Sequence, residues 1–213
     1  MTKRFDYEAI DNLVPDAMAN YIEQRVMTHG LWVYNHLTSD VGENFDPNDK
    51  NIVETPQFTN TFVASDEGLV QQLFSEVAQP ILWFLERETG IVAESVVRIK
   101  ANLLMQANTD ENSYHLPHID YGNNQCLSMV YYVNDSDGDT RIFDKYAIED
   151  GHNDLTMIHS NTPKKGSAIM FQSNRLHSSS NPIKTDARCI INFVFKPTED
   201  SYTEYLRKNN FLL

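Results

Sequence analysis

The sequence predicts a mainly β fold with helices, an antiparallel sandwich or barrel that carries a helical layer on one sheet. Two observations predict this class. Before residue 90 the clearest periodic segments have helical spacing, whereas after residue 90 short β-type runs alternate with turn clusters. The chain has 213 residues and no repeat or linker that divides it, so a single domain with its own core is expected over residues 1–213.

The first 90 residues are expected to form a helical N-terminal layer. Apolar residues three or four positions apart predict helices over residues 16–27 and 67–88. Pro80 lies inside the second segment, and its missing backbone N–H predicts a kink or break there. The polar stretch at residues 43–60 has no period and predicts a surface loop, a candidate wall or lid of a binding groove.

The β core is expected over residues 91–197, and a C-terminal helical segment over residues 198–213, with the helix itself at 199–208. Turn-forming clusters at residues 134–139 and 162–166 separate some of the β-type runs. The predicted strands cover residues 91–105, 126–133, 140–143, 154–158, 167–171 and 189–195.

The charge balance narrows the possible partners. The chain has 30 Asp and Glu against 17 Lys and Arg, a formal charge of −13, which argues against nucleic acid or an anionic membrane as a partner because either needs a basic face. No run approaches the roughly 20 apolar residues of a spanning helix, and the N-terminus lacks the apolar segment of a secretory signal. Two Cys form no disulfide framework and fit a reducing compartment, so a cytoplasmic location is expected.

The most informative motif is YHLPHID at residues 114–120, which places His118 and Asp120 two positions apart. On an extended backbone their side chains share a face. One imidazole and one carboxylate are two thirds of the facial triad that binds non-haem Fe(II). An isolated HxD is weak support, since a solvated strand end has the same pattern. A third ligand must come from a distant strand, and His177, after the run KGSAIMF, is the leading candidate.

Arg188 opens the strand RCIINFVF, eleven residues after His177. Alternation places Arg188 and Asn192 on one face of that strand, while Cys189 and Phe193 belong to a wholly apolar face. A buried Arg is costly unless it meets an anion, and a carboxylate is its best bidentate partner. Without the two His motifs, an Arg that reaches solvent or pairs with Asp186 would be the preferred interpretation.

At these residues the sequence resembles the 2-oxoglutarate and Fe(II)-dependent oxygenases, and within them the prolyl-hydroxylase-like group. The likeness covers about residues 91–197 and consists of HID, SMVYYVNDSDGDTRIF, PKKGSAIMF, His177 and the strand that begins with Arg188. The chain departs from the family where two Gly often follow the acidic turn, because it has Gly138 and Asp139 there. The opening YEAIDNLVPDAMANYIEQ is similar to that of these enzymes and of phage relatives, which implies the cytoplasm of a host cell.

The resemblance implies a double-stranded β-helix, or jelly-roll, core with the N-terminal helices packed on one sheet. It implies that Fe(II) is bound by His118, Asp120 and His177. It also implies that Arg188, helped by the hydroxyl of Tyr132, binds the distal carboxylate of 2-oxoglutarate, with dioxygen as co-substrate and ascorbate as a reductant. Strand alternation supports Tyr132 as the inward tyrosine, although a shift of one position would exchange it with Tyr131. Further candidates for the pocket are Asn102, Asn192 and Tyr114.

The activity implied by the resemblance is hydroxylation of an unactivated C–H bond with release of succinate and carbon dioxide, at a prolyl residue of a protein or peptide. The alternatives are a small metabolite or free amino acid as substrate, a non-catalytic metal-binding β-barrel module, and a zinc hydrolase, which would leave Arg188 unexplained. Nucleic-acid demethylation is disfavoured, because the repair branch of the family has a second Arg where this chain has Val194. The sequence does not fix an oligomeric state.

Overall fold

The computed structural model describes residues 5–38, 50–64, 68–146 and 155–211. Its helices are α1 (Asp16–His29), a π-helix (Phe74–Ala78), α2 (Gln79–Thr89) and α3 (Glu199–Lys208). Its strands are β1 (Glu8–Ile10), β2 (Val33–Asn35), β3 (Gln57–Ala64), β4 (Leu69–Val70), β5 (Ala93–Met105), β6 (Leu127–Tyr132), β7 (Thr140–Tyr146), β8 (Met157–Asn161), β9 (Ala168–Gln172), β10 (Arg175–Ser179) and β11 (Ala187–Pro197).

Two antiparallel sheets are formed by these strands. The main sheet has the order β1-β9-β6-β11-β5-β3-β2, with β4 paired to β3, and the small sheet has the order β10-β7-β8. The long strands β5 and β11 pair over most of their length at the centre of the main sheet. An isolated antiparallel bridge between His118 and His177 joins the segment before β6 to the small sheet. This bridge joins two of the three residues predicted as metal ligands.

One face of the main sheet packs against the helices. Ile22 of α1, Ile81 of α2 and Tyr205 of α3 are buried in the same cluster as Ile191 and Phe193 of β11. Burial of large apolar side chains contributes about 1.5–3 kcal/mol each, so this layer is a main source of stability. The predicted helical layer on one sheet is therefore confirmed.

The other face of the main sheet packs against the small sheet. Because side chains alternate along a strand, β6 and β11 contribute to both layers of the molecule. Tyr131 belongs to the helical side, whereas Tyr132 belongs to the cluster between the sheets. That cluster consists of Val130, Tyr132, Ile142, Ile169, Phe171 and Ile190. Both faces of these strands are thus buried, and the site forms at the edge of the inter-sheet cluster.

The N-terminal 90 residues are not only helical, because β1, β2, β3 and β4 join the main sheet. β3 begins at Gln57, inside the stretch predicted as a loop, and residues 43–49 of that stretch lie outside the described residues. Gln57, Thr59 and Thr61 face a polar cavity, so β3 lacks the apolar alternation by which a strand is usually predicted.

The segment predicted as one helix over residues 67–88 has three parts. The short strand β4 comes first, the π-helix follows, and regular α-helix begins only at Gln79. Pro80 lies in the first turn of α2, where proline is well tolerated, so the predicted break corresponds to the change from π-helix to α-helix. Among the helices of the described residues, none is long and apolar enough to cross a membrane.

Candidate metal centre

Three side chains predicted as ligands lie together between the sheets. One potential ligand atom from each of His118, Asp120 and His177 lies within 4.8 Å of the others. The two histidines are held by mutual backbone bonds, with His118 N donating to His177 O at 2.9 Å and His177 N donating to His118 O at 3.0 Å. Asp120 Oδ2 lies 3.5 Å from His177 Nε2. Residues 59 positions apart in the sequence thus form one cluster.

Both imidazole rings are oriented by their Nδ1 atoms. Nδ1 of His118 lies 3.1 Å from the carbonyl oxygen of Leu116, and Nδ1 of His177 lies 3.0 Å from that of Arg175. A carbonyl accepts only from a protonated nitrogen, so Nδ1 carries the hydrogen and Nε2 keeps a lone pair for a metal. Burial, together with the neighbouring His177, lowers the pKa of His118 to about 4. His118 is therefore neutral at neutral pH.

Asp120 accepts hydrogen bonds from three side chains that surround it. Its Oδ2 accepts from Ser128 Oγ at 2.6 Å and from Asn192 Nδ2 at 2.9 Å, and its Oδ1 accepts from Arg98 Nη2 at 2.9 Å. Burial raises the pKa of Asp120, but His177, Arg98 and His118 outweigh that effect and hold the pKa well below its usual range. The carboxylate stays ionised, which is the form that binds a metal.

The donor set fits a divalent iron. Two imidazoles and one carboxylate on one side of a cavity are the facial triad that leaves coordination positions open for small molecules. The fit rests on the donor types, their mutual distances and the orientation of the rings by backbone carbonyls.

Arg188 lies at the other end of a cavity of about 60 Å³ that also contains His118, Asp120 and His177 in its lining. Its Nε donates to Gly138 O at 2.7 Å and its Nη2 donates to Thr140 Oγ1 at 2.8 Å. The side chain is buried, and no described carboxylate, Asp186 included, lies within ion-pair distance of it. Burial lowers the pKa of Arg188. A buried guanidinium without a carboxylate partner is a candidate anion-binding group.

Tyr132 points between the sheets, as strand alternation predicts, but it lies behind Thr140. Its hydroxyl donates to Thr140 Oγ1 at 3.0 Å and accepts from Asn161 Nδ2 at 3.0 Å. Thr140 lines the cavity, whereas Tyr132 is not among the lining residues. Since Thr140 Oγ1 accepts from both Arg188 and Tyr132, its own hydrogen is available to donate to an anion.

The three further pocket candidates have different positions. Asn102 lines the cavity, and its Nδ2 donates to Gln57 Oε1 at 2.7 Å. Asn192 also lines the cavity and bonds Asp120, as described above. Tyr114 is not among the lining residues, because its ring packs against Phe143 at 5.6 Å and beneath the Arg141 guanidinium at 5.1 Å.

Sequence reasoning missed Arg98, Ser128 and Thr140 as site residues. The available signal was strand alternation: Ser128 shares the inward face of β6 with Tyr132, and Thr140 begins β7. Arg98 has no local signal, because its partner Asp120 is 22 positions away on a different segment.

Residues 104–196 match the family model described as the 2OG-Fe(II) oxygenase superfamily. This region belongs to that superfamily. The protein, called the oxygenase below, is thus a 2-oxoglutarate-dependent dioxygenase. Fe(II) and 2-oxoglutarate are the cofactors of its family. The predicted enzyme class and cofactors are confirmed, whereas ascorbate stays a prediction.

Solved structures share the fold of the oxygenase at low sequence identity. The non-haem α-ketoglutarate-dependent epimerase SnoN from nogalamycin biosynthesis is 14% identical, with a TM-score of 0.59 over 91% of this chain and 79% of that one. A Trichoplax adhaerens prolyl hydroxylase, in complex with a hypoxia inducible factor peptide, is 15% identical, with a TM-score of 0.53 over 93% and 86% of the two chains. A Pseudomonas putida prolyl-4-hydroxylase is 14% identical, with a TM-score of 0.53 over 90% and 93%.

These likenesses confirm the predicted jelly-roll core with helices on one sheet. No curated protein matches the sequence of the oxygenase significantly. The division into residues 1–90, 91–197 and 198–213 stays a prediction.

Proposed function

We propose that the oxygenase binds Fe(II) through His118, Asp120 and His177, and that Arg188 with Thr140 binds the distal carboxylate of 2-oxoglutarate. The observation that carries this proposal is one cavity with the ligand cluster at one end and a buried, carboxylate-free guanidinium at the other. 2-Oxoglutarate that binds a metal through its keto acid group and a cation through its distal carboxylate needs both features in one cavity.

Each surrounding residue has a defined part in this arrangement. Ser128, Asn192 and Arg98 hold the Asp120 carboxylate in place, and the carbonyls of Leu116 and Arg175 fix the two imidazoles. Such outer contacts tune metal affinity by fixing the ligands. Tyr132 acts on 2-oxoglutarate only through Thr140 and is a positioning residue.

Apolar side chains in the same cavity exclude water. Val130, Leu104 and Ile190 line it beside the polar groups, so the charges of Arg188 and Asp120 act in a weakly screened environment. When bound, Fe(II) and 2-oxoglutarate supply the activation of dioxygen, which is reduced as 2-oxoglutarate is converted to succinate and carbon dioxide.

The proposed reaction is hydroxylation of an unactivated C–H bond, with a prolyl residue of a protein or peptide as the substrate. The two prolyl hydroxylases among the similar folds support this choice. The second candidate is a small metabolite or a free amino acid, supported by the likeness to an epimerase from nogalamycin biosynthesis. A non-catalytic module is disfavoured, because the anion-binding Arg188 accompanies a complete set of ligand types.

The direct test is anaerobic titration with Fe(II) and 2-oxoglutarate, followed by measurement of succinate on admission of air. Wild type should bind both and show a ferrous–keto acid absorption band, and His177→Ala should lose the band and the turnover. His159→Ala is the matched control, because His159 stacks on Tyr7 at 4.2 Å, outside the ligand cluster.

A different set of results would identify a different class of enzyme. Tight binding of zinc, absence of the band and hydrolytic turnover would establish a zinc hydrolase instead. A gain of one oxygen by proline-containing peptides or by lysate metabolites, measured by mass spectrometry, separates the two substrate candidates.

A further inference from the structure

A second and larger cavity, of about 480 Å³, adjoins the ligand cluster on the side away from Arg188. The two cavities share part of their lining, namely Thr38, Gln57, Lys100, His118 and Asp120. The sheet side of the larger cavity consists of Asn35, Gln57, Thr59, Thr61, Arg98 and Lys100. A substrate in this space reaches the metal ligands without passing the proposed 2-oxoglutarate site.

The charge of this cavity is opposite to that of the chain as a whole. The formal charge of the chain is −13, but among the described lining residues the only carboxylate is Asp120, against two cations, Arg98 and Lys100. Asp120 already accepts bonds from Arg98, Ser128 and Asn192. A bound Fe(II) would add further positive charge beside it. The cavity therefore attracts anions within a protein whose surface repels them.

Arg98 has donor capacity that the described residues do not use. Its Nη2 donates to Asp120 Oδ1 at 2.9 Å and lies 3.4 Å from Asn192 Oδ1. Its Nε is buried and has no hydrogen-bond partner among the described residues. A buried unpaired donor is costly, so it indicates a position that a ligand completes. Guanidinium matches the planar geometry of a carboxylate.

Lys100 adds a second cation on the same face of β5. Residues two apart on a strand point the same way and lie about 7 Å apart, so Arg98 and Lys100 stand side by side along the cavity. The alternate residues Ile99 and Ala101 belong to the core on the helical side. On the side of β5 that faces the cavities, the cations Arg98 and Lys100 are therefore followed by Asn102 and Leu104, and Leu104 pairs with Arg188.

The two arginines are too far apart to serve the same carboxylate. Arg98 pairs with Val194 of β11, and Arg188 lies six residues earlier on that strand, 194 − 188 = 6. Six residues of strand correspond to about 20 Å between Cα atoms. Arg188 is therefore available for 2-oxoglutarate while Arg98 lines only the larger cavity, and Lys100 lies between them in the lining of both cavities.

We propose that the larger cavity is the substrate pocket and that it selects a substrate carrying a carboxylate, which Arg98 and Lys100 bind beside the metal. This inference rests on the proposed function of the neighbouring centre. The carboxylate belongs either to a free acid, such as an amino acid, or to an acidic residue of a peptide, and both present the same group to Arg98.

The first experiment measures binding without turnover. Zn(II)-loaded protein with saturating 2-oxoglutarate is titrated with propionate, and with propionamide as the neutral match, by saturation-transfer NMR. Propionate is expected to bind in the millimolar range and propionamide not to bind. Arg98→Gln should weaken propionate binding at least about tenfold, since a charge-assisted pair is lost. Arg98→Lys should retain part of the affinity.

Two further variants separate carboxylate binding by the larger cavity from the contact between Arg98 and Asp120. Arg98 also holds Asp120, so Lys100→Gln provides an independent measurement and should weaken propionate binding as well. Arg87→Gln removes the same charge from the exposed end of α2 and should leave propionate binding unchanged. Equal binding of propionamide, absence of propionate binding, or unchanged affinity in both Arg98→Gln and Lys100→Gln would overturn the proposal.

The second experiment identifies the source of the carboxylate. Succinate release above the substrate-free rate is compared between L-proline and L-prolinamide, and between acetyl-Asp-Pro-amide and acetyl-Asn-Pro-amide. Stimulation by L-proline alone assigns a free acid, and stimulation by the Asp peptide alone assigns an acidic peptide. Equal stimulation by the acid and amide of one pair contradicts the inference. A wild-type protein that forms no Fe(II)–2-oxoglutarate band would overturn the proposed function, whereas a normal band without propionate binding overturns only this inference.

Discussion

The hydroxyl of Tyr132 donates to Oγ1 of Thr140 at 3.0 Å, and this contact separates the tyrosine from the cavity that Thr140 lines. The same threonine oxygen accepts from Arg188 Nη2 at 2.8 Å. An arginine, a threonine and a tyrosine therefore form one hydrogen-bonded unit, in which only the first two residues face the proposed 2-oxoglutarate site.

The unit predicts different effects for its two hydroxyls. Thr140→Val should raise the KM for 2-oxoglutarate about tenfold, because a hydrogen bond to a charged group is worth about 1.5 kcal/mol or more. Tyr132→Phe should raise it less than about threefold, because Tyr132 acts through Thr140. Steady-state succinate release over a range of 2-oxoglutarate concentrations measures both. A larger effect for Tyr132→Phe than for Thr140→Val would show that the tyrosine contacts the keto acid itself.

Arg188→Met should separate ligand binding from stability. Loss of the cation should weaken 2-oxoglutarate binding about 100-fold, which corresponds to ~3 kcal/mol of charge-assisted bonding. The free energy of unfolding of the ligand-free protein should change by no more than about 1 kcal/mol, because relief of a buried charge offsets the lost bonds to Gly138 and Thr140.

Thermal denaturation with and without 2-oxoglutarate tests this pair of expectations. The ligand-dependent rise in Tm should disappear in Arg188→Met, because only a bound ligand stabilises the folded state. A fall of several kcal/mol in the ligand-free protein would instead make Arg188 a structural residue.

Gly138→Ala should disturb the part of the cavity that contains Arg188, because Gly138 lies next to that side chain. An added Cβ would lie 2.5 Å from Ser180 O, 2.9 Å from Arg188 Cδ and 2.9 Å from Pro182 N. We expect a loss of about 2 kcal/mol in the free energy of unfolding, together with weaker 2-oxoglutarate binding as Arg188 is displaced. Gly122→Ala is the matched control, because its Cβ would meet nothing within 4 Å. Equal urea midpoints for both variants would contradict the close approach at Gly138.

His115 should make stability depend on pH. Its ring is buried between Ser179 Oγ at 2.9 Å and Asn181 Oδ1 at 2.8 Å, and burial lowers its pKa to about 4. In the unfolded chain the group binds a proton near pH 6.5, so from pH 6.5 down to about 4 the unfolded state holds more protons. Stability is therefore full above pH 6.5 and is lost as the pH falls.

The expected contribution of His115 is about 2 kcal/mol between pH 7 and pH 5. Urea denaturation of metal-free wild type and His115→Gln at both pH values measures it. The variant should be less stable at pH 7 but lose less on acidification. Parallel losses in the two proteins would show that other groups cause the pH dependence.

Strand alternation predicted much of the β half. The inward positions of Tyr132 and Asn192 and the apolar face of β11 follow from side chains that alternate, because both faces of the central strands are buried. The grouping of His118, Asp120 and His177 followed from ligand types and family spacing, and the structure brings these residues together. Their roles as ligands, and that of Arg188, stay predictions.

Other features depend on contacts that no local pattern records. The first four residues of β3 were predicted as part of a loop because Gln57 and Thr59 face a polar cavity instead of a core. β10, which carries His177, was not predicted because Leu176 is the one apolar residue in its five-residue sequence RLHSS. The bond between Arg98 and Asp120 arises only when β5 and the segment before β6 are assembled.

The alternation of β11 also limits how the gene of this protein can change length. Arg188 and Asn192 lie on the cavity side, while Cys189 and Phe193 lie in the helical core, so deletion of one residue within the strand would exchange the two sets. Loss of a single codon there would remove the proposed anion site and place an arginine in the core, whereas the exposed turn around Gly122 has no such constraint. Insertions and deletions that evolution retains should therefore collect in the turns and avoid the central strands.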